Sequence, residues 1–282
     1  MTDFRSRRRA ARRRWTRRRL AGGLAAAVLA GGAALGDVPG AAAEPGRLWH
    51  APVAVGHWPP VVAVLGDSVP SGAACHCTPY GSLVALALAQ GAGRAARTAD
   101  LARGGATVAT LRDQLRTPSV RAAVASSGLA VVTVGANDLS PDPLTDPGCR
   151  PVTALACYRG DVDRLSAGLA AVLADLRSLI APGGGRVLVT GYWNVFLDGA
   201  VGRARGGDYV TGSDALTRAV DAGIADAARR SGATYVDVYT PFKGDGTRDC
   251  TALLAADGDH PNARGHRLIA DTVLATLVTT AP

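Results

Sequence analysis

Beyond residue 60 the chain alternates two hydrophobic patterns. Short apolar runs occupy 61–65, 129–134, 186–190 and 233–239, with a weaker one at 97–101. An apolar run of four to six residues with little polar alternation marks a strand buried on both faces, as in parallel sheets. Between these runs, apolar residues recur at helical spacing. Val162, Leu165, Leu169, Val172 and Leu176 fall on one stripe of a helix predicted over 160–180, which Pro182-Gly183-Gly184-Gly185 stops. Further helices are predicted over 82–90, 213–230 and 263–277. Ser213 is the candidate N-cap of the second of these, and Ser231-Gly232 lies just past its end. Strand and helix in alternation over most of the chain predict a three-layer α/β/α sandwich with a mainly parallel sheet. Ligands bind such sheets outside the carboxyl ends of the strands, so residues that follow strands are the first candidates for chemistry.

The first 60 residues follow a different pattern. Residues 1–43 hold ten of the 31 Arg and Lys but only two of the 23 acids, so the rest of the chain is charge-balanced. The formal net charge of +8 therefore belongs to the leader and does not describe a basic domain surface, which removes the main support for a nucleic-acid partner. The Arg-rich start precedes an apolar stretch over 20–35, the breakers Gly36 and Pro39, and Ala41-Ala42-Ala43 before Glu44. This order is that of an export signal cleaved after Ala43. The stretch is shorter than the ~20 residues that span a bilayer core. Thr16-Arg17-Arg18-Arg19-Leu20 resembles a twin-arginine signal. Ordinary Sec export and retention as an uncleaved anchor are the alternatives. Residues 44–60, with Pro45, Pro52, Pro59 and Pro60, read as an extended segment leading into a domain over 61–282. With 48% hydrophobic and 19% charged residues, the chain can bury a sizeable core.

Five cysteines fit an exported domain, where disulfides persist. Cys149 and Cys157 flank a short loop and form a natural pair, stabilising by roughly 2–3 kcal/mol in the chain-entropy model. Cys250 is expected to pair with Cys75 or Cys77, leaving one thiol over. Cys75-His76-Cys77 also has metal-ligand residue types, but no second ligand pair stands at zinc-site spacing, so no metal is expected.

Four short blocks carry chemistry. Gly66-Asp67-Ser68 follows the first apolar run and precedes a helix, so Ser68 has a backbone N–H free to face a ligand. Asp257-Gly258-Asp259-His260-Pro261-Asn262 precedes the last helix; a carboxylate three residues before a loop His can fold back onto the imidazole. Gly104-Gly105-Ala106-Thr107 and Asn137 supply donors of the kind that stabilise a developing oxyanion. Singly, each block is equally a turn, a cap or a salt bridge. Trp193 and Phe196 follow the third clear run and either line an acyl pocket or pack as core. The loop after Asn137, rich in proline at 141, 143, 147 and 151, is placed to wall a cleft.

Gly66-Asp67-Ser68, Gly105, Gly135-Ala136-Asn137-Asp138 and Asp257-x-x-His260 occur in the order and strand context of the SGNH (GDSL-type) hydrolases, which the chain resembles. The resemblance spans nearly all of the chain after residue 60. The Cys75-x-Cys77 pair and Tyr192-Trp193-Asn194-Val195-Phe196 resemble a secreted actinobacterial branch of esterases and lipases. The resemblance implies a flavodoxin-like α/β/α fold and carboxylic ester hydrolysis without a cofactor. It implies Ser68 as nucleophile, His260 as base and Asp257 orienting His260. It also implies an oxyanion hole formed by the Ser68 and Gly105 N–H groups and the Asn137 side chain. Here Gly104 competes with Gly105 for that position. The expected substrate is a small-molecule, lipid or polysaccharide ester. An O-acetyl polysaccharide esterase and a silent wall-associated binder on the same fold are the alternatives. With no coiled-coil seam, a monomer is expected, touching membrane only through the export signal.

Overall fold

The computed structural model describes residues 61–93, 95, 97–139 and 155–280. The leader, the segment over 44–60, the proline-rich loop over 140–154 and Cys149 lie outside the described residues.

Five strands form one sheet: β1 (Val61–Gly66), β2 (Arg97–Asp100), β3 (Leu129–Thr133), β4 (Arg186–Thr190) and β5 (Thr234–Val236). Their order is β2-β1-β3-β4-β5 and every pairing is parallel. This is a doubly wound order whose direction reverses between β1 and β3. The two central strands are the ones with the purest apolar runs, because they are covered on both faces: Ala63, Leu65, Ala130, Val131 and Val132 have no exposed surface. Burying a side chain of the Val or Leu class contributes about 1.5–3 kcal/mol.

Helices α1 (Tyr80–Ala92) and α8 (Ala263–Thr279) pack together on the sheet. Helix α4 (Leu155–Ile180) packs on α6 (Gly207–Ser231), and α2 (Val108–Gln114) and α3 (Pro118–Ala125) pack on α4. Right-handed crossovers that run one way from β1 and the other way from β3 put these two helix sets on opposite faces of the sheet. The short helices α5 (Gly199–Arg203) and α7 (Tyr239–Lys243) complete the set among the described residues.

Some elements depart from the sequence pattern. Helix α6 begins six residues before Ser213, after Gly206. Ser213 is therefore no N-cap: it is buried inside the helix, its hydroxyl donating to the Val210 carbonyl and accepting from Asn194. Gly232 does end α6, in the left-handed conformation. The run over 233–239 yields only three strand residues. Asp237 then accepts from the Thr240 N–H, and the chain coils into α7.

The expected bridge from Cys250 to Cys75 or Cys77 is not formed. Cys75 and Cys77 are bonded to each other, with Cα atoms 5.1 Å apart, within ordinary disulfide reach. Cys250 is a free thiol buried in the hydrophobic core, which pushes its pKa up to about 12. Sequence spacing carries no information on which thiols meet in space, and adjacency along the chain wins here. Cys157 is disulfide-bonded.

Candidate active site

Strand β1 ends at Gly66, whose register partner is Thr133 at the end of β3. The two strands therefore deliver residues 67–68 and 134–137 to the same edge, at the switch point of the sheet. Gly66 has φ +122°, and the Asp67 N–H donates to the Thr133 carbonyl at 2.9 Å. The chain turns there and exposes half-buried Ser68. The Ser68 N–H has no acceptor among the described residues.

Asp67 is a scaffold residue. Its carboxylate is buried, accepts from the Val69 N–H at 3.0 Å and from the Tyr192 hydroxyl at 2.5 Å. The Tyr192 oxygen in turn accepts from the Ala136 N–H at 3.3 Å. One tyrosine thus ties the Ser68 turn to the Asn137 turn, a role that the sequence pattern does not suggest. Burial raises the Asp67 pKa to about 7 against the lowering effect of these hydrogen bonds. The folded protein therefore holds a proton that the unfolded chain releases near pH 4. The stability this proton confers is fully present below about pH 4 and is lost as pH rises to about 7, with a slope of about 1.4 kcal/mol per pH unit in between. Other buried carboxyls, Asp138 among them, add slopes of their own, so the test is the difference: urea titrations across this range should give wild type a more negative slope than Asp67→Asn by about that amount, and identical slopes would refute the assignment.

The glycine block forms a turn in which the Ala106 N–H donates to the Arg103 carbonyl at 3.0 Å. Gly105 occupies its third position with φ +77°, as a type II turn requires. Gly104 does not have a positive φ, so of the two glycines only Gly105 takes the left-handed position. The turn is clamped to the Asn137 segment twice. Asn137 Nδ2 donates to the Ala106 carbonyl at 3.1 Å, and the Asp138 carboxylate accepts from the Val108 N–H at 3.0 Å. Burial raises the Asp138 pKa to about 6. The Gly105 N–H has no acceptor among the described residues.

The acidic turn before α8 closes the site. Asp257 Oδ1 accepts from the N–H groups of Asp259 (3.0 Å) and His260 (3.1 Å), while Oδ2 lies 2.8 Å from His260 Nδ1. Partial burial opposes its charge, but these hydrogen bonds win and hold Asp257 below the usual carboxylate range. Asn262 caps α8 by accepting from the Arg264 and Gly265 N–H groups, which anchors the turn.

These pieces meet around a cavity of about 470 Å³. Ser68, His260, Asn137 and Asp259 line it, with Val69, Leu139, Val195, Phe196 and Leu197 as apolar wall. Asp257, paired with His260, and Gly105 are not in the lining. Phe196 is in the wall, but Trp193 is not. The indole is buried at 1% exposure and stacks on Phe242 at 4.7 Å between ring centroids, so it is core. A hydroxyl with its own N–H, an imidazole oriented by a carboxylate, and a side-chain amide at one cavity are parts of nucleophilic acyl transfer.

The GDSL-like Lipase/Acylhydrolase family matches residues 64–268, which include every block described above. An extracellular lipase from Streptomyces rimosus superposes with TM-score 0.57 at 22% identity, covering 78% of this chain and 99% of that one. Phospholipase A1 from Streptomyces albidoflavus NA297 gives 0.57 at 21%, with 78% and 99% covered. The acetylxylan esterase Axe2 from Geobacillus stearothermophilus gives 0.51 at 18%, with 77% and 93% covered. No curated protein sequence matches. At these identities the structures establish the shared fold, and the family match extends over most of the chain: the protein belongs to the GDSL-like lipase/acylhydrolase family of ester-hydrolysing enzymes.

Proposed function

We propose that the protein is an exported serine esterase that forms an acyl-enzyme on Ser68. The observation that carries the reading is the His260–Asp257 pair at 2.8 Å beside a cavity that Ser68 also lines. With Nδ1 held by Asp257, Nε2 is the ring nitrogen left for the Ser68 proton. His260 takes that proton as Ser68 attacks the ester carbonyl. The Ser68 and Gly105 N–H groups and the second Asn137 amide hydrogen receive the negative oxygen. His260 then protonates the leaving alcohol, and water repeats the cycle to release the acid.

The apolar wall of Val69, Leu139, Val195, Phe196 and Leu197 supports an acyl chain as the bound group, so a carboxylesterase or lipase is the first reading. The Asp259 carboxylate lines the same cavity and can accept from hydroxyls, which favours sugar O-acetyl groups as the second. The mature protein assayed on p-nitrophenyl esters from acetate to palmitate tests both. A maximum at medium or long chains supports the first, and a sharp preference for acetate supports the second. Absence of turnover together with no labelling by a fluorophosphonate probe would sink both readings.

Asp257 orients the imidazole and stabilises its charged form. Asp257→Asn keeps the shape of the turn but offers the ring an amide where it needs a carboxylate. Its kcat is expected to fall by about 10²- to 10⁴-fold, with the larger loss set by a wrong tautomer. Wild-type kcat in this variant would remove Asp257 from the machinery.

Export rests on the leader pattern of residues 1–43 and is consistent with the extracellular nature of the Streptomyces rimosus lipase. Sequencing the secreted protein should find Glu44 first; a protein beginning at Met1 would refute cleavage.

A further inference from the structure

The loop that leaves Ser68 holds a second reactive group. Residues 69–79 run from the nucleophile to α1, tied back by the Ala73 N–H and the Ser71 hydroxyl, which both donate to the Ser68 carbonyl at 3.0 and 2.9 Å. Cys75 and Cys77, both half-buried, close a disulfide across one residue. The chain-entropy contribution of a cross-link shrinks with the length of the loop it closes, so a bridge this short constrains the unfolded chain little. The loop also carries two non-glycine residues in the left-handed region, Ala74 (φ 58°) and His76 (φ 49°), a costly conformation held in place within and next to the small ring. Bridges in strained segments belong to the labile class of disulfide.

His266, in the first turn of α8, supplies an independent observation. It is fully buried, and a ring nitrogen and the two sulfurs lie within 4.8 Å of one another. Its Nδ1 accepts from the Tyr80 N–H at 3.3 Å, so Nε2 carries the ring proton. That Nε2 is buried and finds no acceptor among the described residues. A buried orphaned donor is costly, and a thiolate released from a pair whose sulfurs lie within 4.8 Å of a ring nitrogen would satisfy it on turning toward Nε2. The same tautomer leaves the ring no free lone pair for a cation, so the cluster suits a thiolate better than a metal. Cys77 also sits three residues before the first residue of α1, where the helix dipole favours negative charge.

We propose that Cys75–Cys77 is an exchangeable redox site, opened and re-formed by small thiols or dithiols, with His266 holding the released thiolate. An external thiolate attacks one sulfur of the pair, forming a mixed disulfide and expelling the other cysteine as thiolate. A second external thiolate then attacks the outer sulfur of the mixed disulfide. Cys75 and Cys77 end reduced by two electrons, two external thiols end as one disulfide, and solvent supplies the protons of any neutral thiol formed. Nothing in this step draws on the esterase reading.

The test is differential alkylation of the full-length protein purified from oxidising medium. In native buffer with excess reduced glutathione, the peptide carrying Cys75 and Cys77 is expected to become doubly alkylated, while Cys157 stays disulfide-bonded and Cys250 reacts only after denaturation. His266→Gln should slow alkylation of the pair about tenfold at neutral pH. Should that variant fail to fold, Cys75→Ser serves instead: with oxidised glutathione its Cys77 is expected to form the mixed disulfide stoichiometrically. A pair that opens only under conditions that also reduce the Cys157 disulfide would overturn the proposal. So would purified protein carrying one zinc per chain on unreactive Cys75 and Cys77.

Discussion

Ser68→Ala is expected to lower kcat by about 10⁴- to 10⁶-fold while leaving the fold intact, because the hydroxyl makes the covalent intermediate and does little else. Ser68 is only half-buried, and among the described residues its side-chain oxygen has no hydrogen-bond partner; the bonds that hold its turn go to its carbonyl. Removing the oxygen therefore leaves the Asp67–Tyr192 tie, the Gly105 turn and the Asp257–His260 pair in place. The residual rate should come from the oxyanion donors and from binding. Residues that act as one unit lose their effect together, so Ser68→Ala combined with His260→Ala should be little worse than either alone. The measurements are kcat on a p-nitrophenyl ester, fluorophosphonate labelling and Tm for wild type, both single variants and the double. Turnover within tenfold of wild type in Ser68→Ala, with Tm unchanged, would end the assignment of the nucleophile.

Much of this arrangement is legible in the chain because its central strands are buried on both faces. Such strands must be apolar throughout, so β1, β3 and β4 stand out as unbroken runs, and the residues after β1 and β3 are forced to one edge. Edge strand β5 has less to bury, and its apolar run overstates its length. Helix α6 starts where Gly206 frees the chain, a signal weaker than the Ser213 cap that the pattern suggests. Helices α2 and α3 escape the pattern because each is short and amphipathic over only two turns, too few for a period to show. The site blocks are readable because the chemistry needs specific residue types next to strand ends. What ties them together is not. Tyr192 reaches Asp67 across 125 residues of sequence, and neither residue announces the other. The same holds for Trp193, one position along: the side chains around the end of β4 go either to the cavity or to the core, and only the packing of Phe242 decides it. Disulfide connectivity is likewise a property of space, which is why spacing alone pairs Cys250 wrongly.

Gly66→Ala is expected to cost more than about 4 kcal/mol and to leave little folded protein at physiological temperature. Two effects add at this position. A β-carbon there would lie 1.8 Å from the Thr133 carbonyl oxygen, a backbone atom held in the β1–β3 ladder that cannot swing aside. The φ of +122° is itself a conformation that side chains other than glycine's avoid. Relief would require the ladder to separate at the point that sets the depth of Ser68, so any folded remnant should also lose activity. Gly104→Ala is the matched control. It lies in another turn of the same site, has no atom within 4 Å of the added carbon and needs no positive φ, so its stability should stay within about 0.5 kcal/mol of wild type. Urea unfolding of both variants separates the explanations. A large loss at Gly66 with none at Gly104 places the constraint in the β1–β3 register. Equal small losses would mean that the strand end has room to move and that the register does not fix the nucleophile.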